Sequence, residues 1–283
     1  MRLGGSIPKA YTTAEAWAED CRRAGFYACT CPINYEASAE EKKHLLEVAE
    51  KNNILLAEVG VWKNTLSLNP EELRANMEYA KKQLAFADEM GISCCVNISG
   101  ARGEVWDGWY PDNYSPATYE LIVDSIREII DAVKPTRTFY SIEPMPWMVP
   151  SSPEEYLKLI KDVDRPQFAV HMDFINMINS VERFLNWESF IRDCFVKLAP
   201  WVKSVHIKDV SLDQYALPCC LRECAPGDGD LDYARVLHII QETMPAQMPV
   251  LLEHMTTMEE YEVSSRFVTE LARKENIAID GTK

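Results

Sequence analysis

Side chains that can bind a metal ion end four consecutive apolar segments in the second half of the chain. These side chains are Glu143, Asp173, His206 and Glu253. Three carboxylates gathered in a partly buried site repel one another, so either some are protonated or a divalent cation lies among them. Three oxygen donors and one imidazole suit Mn²⁺ or Mg²⁺, with Co²⁺ tolerated, while Zn²⁺ usually prefers more nitrogen or sulfur. We therefore expect one divalent metal ion in an open site that leaves positions for substrate oxygens.

The four segments belong to a regular alternation of strands and helices. The predicted strands are Arg2–Ser6, Phe26–Thr30, Ile54–Gly60, Ser93–Ile98, Thr138–Glu143, Phe168–Asp173, Val202–Ile207 and Pro249–Glu253. The predicted helices are Ala14–Ala24, Ala39–Lys51, Pro70–Met90, Pro116–Val133, Pro153–Val163, Trp187–Leu198, Tyr233–Glu242 and Met258–Lys274. Eight such repeats form a closed barrel or an open sheet, and the Gly-rich loop typical of the open sheet is missing after the first strand. The sequence predicts a single (β/α)8 TIM barrel domain over residues 1–283, with its functional face at the carboxyl ends of the strands.

Capping residues support several of the predicted helix boundaries. Asn69, Ser115 and Ser152 each precede a proline at a predicted first helical position, where the missing N–H costs nothing. Asp230 is the predicted cap of the helix that begins at Tyr233.

Composition excludes several partners. The formal net charge of −15 argues against nucleic acid and against an anionic membrane. No signal peptide and no apolar run of the roughly 20 residues that span a bilayer is visible. The nine cysteines are odd in number and include the adjacent pairs Cys94–Cys95 and Cys219–Cys220, a poor geometry for disulfides. We expect a cytoplasmic protein with reduced thiols.

Several short segments carry a resemblance to a known family. They are Ile142-Glu143-Pro144, Met172-Asp173-Phe174-Ile175-Asn176, His206-Ile207-Lys208-Asp209, Pro226–Asp232 and Leu252-Glu253. With them the chain resembles the xylose isomerase-like TIM barrel family, which includes sugar phosphate isomerases and epimerases, ketose 3-epimerases and inosose dehydratases. The resemblance implies that Glu143, Asp173, His206 and Glu253 bind one divalent ion, often Mn²⁺. It also implies that Glu143 and Glu253 exchange protons with a carbon beside a carbonyl, through an enediolate that the metal stabilises.

The chain departs from the ketose 3-epimerase pattern at two places. Asn176 stands where those enzymes have a histidine, and the arginine that follows their metal-binding histidine is missing, since the nearest one is Arg222. We therefore predict an isomerase or epimerase of a sugar or sugar-like hydroxycarbonyl compound. The alternative is a metal-dependent lyase or dehydratase, inosose dehydratase-like or C-glycoside-cleaving, that acts on an oxidised sugar or cyclitol. A non-catalytic sugar-binding subunit is a third hypothesis, against which the intact metal quartet argues.

Further residues are candidates for binding the small-molecule sugar or cyclitol. They are Lys208, Trp147, Asn176, Arg102, Trp106, Trp109 and Arg222. Indole rings stack on the C–H faces of sugars, although they could equally cover the barrel end or a contact in a homo-oligomer. Lys208 could hold a substrate oxygen or pair with a carboxylate. His171 is expected one layer deeper than Asp173, and His254 is expected to face away from Glu253.

Overall fold

The computed structural model describes residues 1–279, which contain a closed barrel of eight parallel strands. The barrel strands are β1 (Arg2–Gly5), β2 (Ala28–Thr30), β3 (Leu55–Gly60), β4 (Cys94–Asn97), β5 (Phe139–Ile142), β6 (Phe168–Asp173), β7 (Val202–Ile207) and β10 (Pro249–Leu252). Two further strands, β8 (Asp209–Asp213) and β9 (Cys220–Cys224), lie outside the barrel. Strands β1 to β7 pair in chain order, and β10 closes the barrel between β7 and β1. The predicted (β/α)8 TIM barrel is confirmed.

Helices connect the strands on the outside of the barrel. They are α1 (Ala14–Ala24), α2 (Ala39–Lys51), α3 (Pro70–Met90), α4 (Pro116–Val133), α5 (Pro153–Val163), α6 (Val181–Leu185), α7 (Trp187–Leu198), α8 (Tyr233–Thr243) and α9 (Met258–Lys274), with a short 3-10 turn at Pro111–Tyr114. Within residues 1–279, no helix combines the length and apolar character needed to cross a membrane.

The predicted caps are confirmed at three helices and wrong at one. The side chains of Asn69, Ser115 and Ser152 accept hydrogen bonds from the first turns of α3, α4 and α5. At α8 the capping carboxylate is Asp232, which accepts from two backbone N–H groups of the first turn. The prediction of Asp230 failed because that carboxylate instead accepts from the backbone N–H of Leu212.

The sequence did not predict an antiparallel ribbon that follows β7. Strands β8 and β9 pair in register from Asp209↔Cys224 to Asp213↔Cys220, and they form a two-stranded sheet outside the barrel. The base of this ribbon lies beside the functional face, because Asp209 is separated from the end of β7 by one residue. The ribbon therefore adds side chains to the site that the eight barrel units alone do not supply.

The barrel interior changes from apolar to polar toward its carboxyl-terminal rim. Helix faces such as Ile122, Ile126 and Ile129 of α4 are buried in the main apolar core. Within the barrel, Glu58 and His171 are also buried, although both can carry a charge. Buried ionisable groups must be paired or bind metals, so this layer is the natural place to look for function.

Candidate metal centre

The four predicted ligands meet at the carboxyl-terminal rim of the barrel. Glu143 directly follows β5, Asp173 ends β6, His206 is the next-to-last residue of β7, and Glu253 directly follows β10. One donor atom from each of the four lies within 4.8 Å of all the others. The Nδ1 atom of His206 lies 3.1 Å from Oε1 of Glu143 and 3.0 Å from Oε1 of Glu253. The structure thus brings the four side chains together around one point.

A fourth carboxylate, that of Glu58, lies beneath the quartet and contacts the other ring nitrogen of His206. The Nε2 atom of His206 lies 3.2 Å from Oε1 of Glu58, and the hydroxyl of Ser204 donates to Oε2 of Glu58 at 3.0 Å. His171 Nδ1 lies 3.4 Å from the same Oε2. A carboxylate that accepts from one ring nitrogen fixes the tautomer and the direction of the other nitrogen. Glu58 therefore holds His206 with Nδ1 facing Glu143 and Glu253.

Sequence reasoning missed Glu58. It lies inside β3 rather than at the end of a strand, where functional side chains of such barrels were sought. The available signal was a charged residue within an otherwise apolar segment, Ile54–Gly60. His171 does lie deeper than Asp173, as expected, and its ring meets that of His206 edge to face at 4.1 Å between centroids.

Lys208 neutralises part of the acidic cluster. Its fully buried ammonium lies 2.7 Å from Oδ2 of Asp173, 2.5 Å from Oε2 of Glu253 and 3.3 Å from Oε2 of Glu223. Of the two roles considered for Lys208, its contacts in the structure are those of the ion pair with carboxylates. Because Oε2 of Glu253 faces Lys208, its Oε1 is the oxygen that faces His206.

Neighbouring charges shift the pKa values of Glu143 and Glu253 in opposite directions. Burial and the nearby charge of Glu253 raise the pKa of Glu143 to about 8. Burial also acts to raise the pKa of Glu253, but His206 and Lys208 outweigh it and hold that pKa well below its usual value. The carboxylates Glu253, Glu58 and Glu143 in turn raise the pKa of His206 well above its usual value, against the effect of burial. Without a metal ion, the quartet therefore retains protons that a cation would displace.

The quartet fits a divalent cation. Three carboxylates and a neutral imidazole are the ligands that Mn²⁺ or Mg²⁺ accepts, and the donor atoms are close enough to share one ion. The raised pKa of Glu143 arises partly from the charge of Glu253, and a cation between them would remove that repulsion. The four side chains would hold the ion, and Glu58 would hold His206 in the orientation that binding requires.

A cavity of about 990 Å³ opens above the quartet. Its floor includes Glu143, His206 and Glu253, and its walls include Trp62, Trp106, Trp147, Asn176, Glu223 and His254. Trp106, Trp147 and Asn176 are thus three predicted substrate-binding residues that line the cavity.

The other four predicted substrate-binding residues do not line this cavity, and the first of them, Lys208, is fully buried in its ion pairs. The guanidinium of Arg102 donates to the carbonyl of Leu66 at 2.6 Å. Trp109 is 72% exposed, and Arg222 on β9 lies 3.4 Å from Asp213. Their chain positions next to the site predicted proximity, but Arg102 and Arg222 contact other partners and Trp109 is exposed to solvent.

The expected orientation of His254 is wrong. The side chain lines the cavity, with Nε2 3.4 Å from Oε1 of Glu253 and Nδ1 2.6 Å from Oε1 of Glu223. The strand alternation that predicted the opposite face does not apply, because β10 ends at Leu252 and His254 has a left-handed backbone with φ 61°. Glu223 was missed because it belongs to the unpredicted ribbon.

Comparisons with known proteins give one family match and several structural neighbours. The model of the family described as xylose isomerase-like TIM barrel matches residues 18–271. The comparison with curated protein sequences finds no match. A xylose isomerase-like TIM barrel protein from Mycobacterium smegmatis in complex with magnesium superposes with a TM-score of 0.67 at 14% identity, covering 97% of both chains.

Two further neighbours are enzymes by their names. The probable 3-DHS dehydratase from Bacillus anthracis has a TM-score of 0.70 at 16% identity, covering 94% of this chain and 98% of its own. D-psicose 3-epimerase from Clostridium cellulolyticum H10, in complex with D-tagatose, has a TM-score of 0.69 at 13% identity, covering 98% and 100%. At these identities the likeness shows the shared barrel fold.

Proposed function

Because the chain belongs to the xylose isomerase-like TIM barrel family, we propose that it is a divalent-metal-dependent isomerase or epimerase of a sugar or sugar-like hydroxycarbonyl compound. The supporting observation is the convergence of Glu143, Asp173, His206 and Glu253, with donor atoms within 4.8 Å of one another, on the floor of an open cavity. We propose Mn²⁺ as the ion, with Mg²⁺, Co²⁺ and Zn²⁺ as alternatives.

Glu143 and Glu253 are the groups proposed to move the proton. The Oε1 atoms of both lie about equally far from His206 Nδ1, so both carboxylates border the same space above the quartet. Glu143, Asp173, His206 and Glu253 would hold a divalent cation, which would supply a Lewis acid that makes the C–H next to a carbonyl acidic enough for a carboxylate. Lys208 holds Oε2 of Glu253 and so keeps Oε1 aimed at this space. One carboxylate then takes the proton and the other returns one to the carbon or to its neighbour.

Side chains around the floor are proposed to orient the substrate. Asn176 lines the cavity while its amide donates to the carbonyl of Pro144 at 3.1 Å, so its position is fixed before substrate enters. Trp106 and Trp147 offer ring faces along the wall. Fixed partners of this kind lower the entropy lost when a substrate is held for reaction.

Turnover in D₂O tests the proposal. The protein, stripped with a chelator and reloaded with Mn²⁺, is incubated with a panel of ketoses and inososes, and products are analysed by NMR and mass spectrometry. We expect an isomer that carries solvent deuterium on a carbon next to the carbonyl. Glu143→Gln and Glu253→Gln each remove a carboxylate that moves the proton, so each lowers turnover by about 100-fold or more.

Glu270→Gln is the matched control, because Glu270 is exposed on α9 and belongs neither to the metal quartet nor to the lining of the cavity. Its turnover stays at the wild-type level. Full turnover in either Glu143→Gln or Glu253→Gln overturns the assignment of the two glutamates. Loss of water or release of an aglycone, instead of an isomer, assigns the site to the lyase or dehydratase alternative.

A further inference from the structure

The cavity above the quartet is larger and more apolar than a small polyhydroxylated substrate requires. Its volume of about 990 Å³ lies at the upper end of the range for drug-sized ligands, about 300–1,000 Å³. Polar groups that suit a hydroxycarbonyl compound are concentrated at the floor, in Glu143, His206 and Glu253. A simple sugar held there would leave much of the apolar wall in contact with water.

The apolar wall is formed by three successive loops on one side of the rim. Trp62 follows β3, Trp106 follows β4 and Trp147 follows β5, and each lines the cavity. The opposite side carries the polar pair Glu223 and His254. The cavity therefore has an aromatic side, formed by the three indoles, and an opposite side where this polar pair lies among apolar residues such as Leu221 and Met255, above a common acidic floor.

The three indoles are held in place. The ring of Trp62 lies against Gly60, where a Cβ atom would come within 2.0 Å of its Nε1, so only glycine allows this packing. Trp62 and Trp106 pack against a small apolar cluster that includes Ile98. The Nε1–H of Trp147 donates to the carbonyl of Asp107 at 2.7 Å, which satisfies its polar atom within the protein. Rings that are packed in place offer apolar area at little entropic cost.

We propose that the natural substrate joins the hydroxycarbonyl unit to a flat apolar group, such as an aromatic ring, and that Trp62, Trp106 and Trp147 bind that group. This inference rests on the proposed function, because the hydroxycarbonyl unit is placed at the metal quartet. The substrate class is then a sugar or cyclitol ketone with an aryl or similar substituent. The reacting end binds the floor and the flat group lies along the aromatic side.

A matched pair of metal-binding probes tests the metal site and the aromatic side of the cavity separately. Acetohydroxamate carries only a bidentate metal-binding group, while 3-(2-naphthyl)propanohydroxamate adds a flat apolar ring system on a short linker. Calorimetric titration of both into the Mn²⁺-loaded protein gives their dissociation constants. We expect the naphthyl probe to bind at least about 30-fold more tightly, which corresponds to about 2 kcal/mol. The corresponding naphthyl amide, which lacks the metal-binding group, binds far more weakly than the naphthyl hydroxamate.

Substitutions of tryptophan residues test which side chains provide the additional affinity of the naphthyl probe. Trp147→Ala lowers the affinity for the naphthyl probe by about 10-fold or more, while acetohydroxamate, which reports an intact metal site, keeps its wild-type affinity. Trp201→Ala is the control, because Trp201 precedes β7 at the opposite end of the barrel and does not line the cavity. It leaves the ratio of the two affinities unchanged.

The outcomes separate failure of this inference from failure of the proposed function. If acetohydroxamate binds and the naphthyl probe gains less than threefold, the aromatic side does not bind a flat apolar group and the inference is wrong. If neither probe binds the Mn²⁺-treated protein, the metal site itself is wrong. A naphthyl gain that survives Trp147→Ala together with Trp106→Ala also overturns the inference, since the affinity then comes from elsewhere.

Discussion

At the scale of single residues, His206 connects two layers of the barrel because its two nitrogens face different carboxylates. Nδ1 faces Glu143 and Glu253, and Nε2 faces Glu58. A histidine presents one lone pair to a metal only when its other nitrogen keeps the proton. Glu58, which is almost fully buried in β3, therefore determines which nitrogen is available.

Removal of the Glu58 carboxylate should weaken metal binding without removing a proposed ligand. Glu58→Ala leaves Nε2 of His206 without its acceptor, and we expect an affinity for Mn²⁺ about 10- to 100-fold lower. Glu58→Gln retains an acceptor oxygen and should lose less. Competition with a chromophoric chelator measures both, and the exposed Glu270→Ala serves as a control. Wild-type affinity in Glu58→Ala would show that His206 does not depend on this contact.

The sequence predicted the site residues that end strands better than those within strands. Glu143, Asp173, His206 and Glu253 follow apolar segments at equivalent positions, and parallel strands of a barrel bring equivalent positions together. Glu58 does not end an apolar segment, so the sequence pattern did not indicate it. Its contact with His206 arises because closure of the barrel places β3 opposite β7. That contact spans 148 positions of the chain, and no local pattern encodes it.

At the scale of elements, the predicted strands and helices agree with the structure to within two residues at each end. Periodic apolar spacing and caps are local signals, and they were sufficient. The ribbon of β8 and β9 and the short helix α6 were missed. Strand β9 is mostly exposed or half-buried, so it lacks the apolar run by which strands are recognised.

The base of the ribbon depends on one buried carboxylate. Asp209 accepts hydrogen bonds from the backbone N–H groups of Val210 at 2.8 Å, Gly227 at 3.1 Å and Gly229 at 3.2 Å. A Cβ atom on Gly229 would lie 2.3 Å from Oδ1 of Asp209, so the close approach requires glycine there. This carboxylate joins the ribbon to the turn that leads into α8.

Asp209→Ala should destabilise the protein while the metal quartet keeps its ligands. Three N–H groups, of which that of Val210 is buried, lose a charged acceptor, and we expect the free energy of unfolding to fall by about 1–3 kcal/mol. Urea denaturation measures the change. Asp213→Ala, at the far and half-buried end of the same strand, is the control and should cost less than about 1 kcal/mol. Equal effects of the two substitutions would argue against the role of Asp209.

At the scale of the whole molecule, the crowded acidic layer links stability to pH. The pKa of Glu143 is about 8 in the fold against an ordinary 4.5, so at neutral pH the folded protein keeps a proton that the unfolded chain releases. Below about pH 6.5 the lowered pKa of His171, about 3 in the fold because of burial, opposes this contribution, so stability of the metal-free protein should fall as pH rises from about 6.5 to about 8. The raised pKa of His206 acts in the same direction.

A divalent cation should reverse this dependence. Because it displaces the protons of Glu143 and His206, its affinity rises with pH through about 8. Melting temperatures with and without Mn²⁺ across this range should diverge as pH increases, since a ligand that binds only the folded state stabilises it. The divergence should be much smaller in Glu143→Gln. A constant difference across the range would contradict the linkage.

The bond from the Trp147 indole to Asp107 also bears on how a substrate enters. The amide of Asn113 donates to the carbonyl of Trp147 at 3.2 Å, so this bond and the one from the Trp147 indole fasten the segment after β4 to the segment after β5. Any opening movement on this side must either break those bonds or carry both segments together. We therefore expect the two segments to move together. A bulky ligand would then enter or leave this side of the cavity only when both segments are displaced at once, rather than by movement of either segment alone.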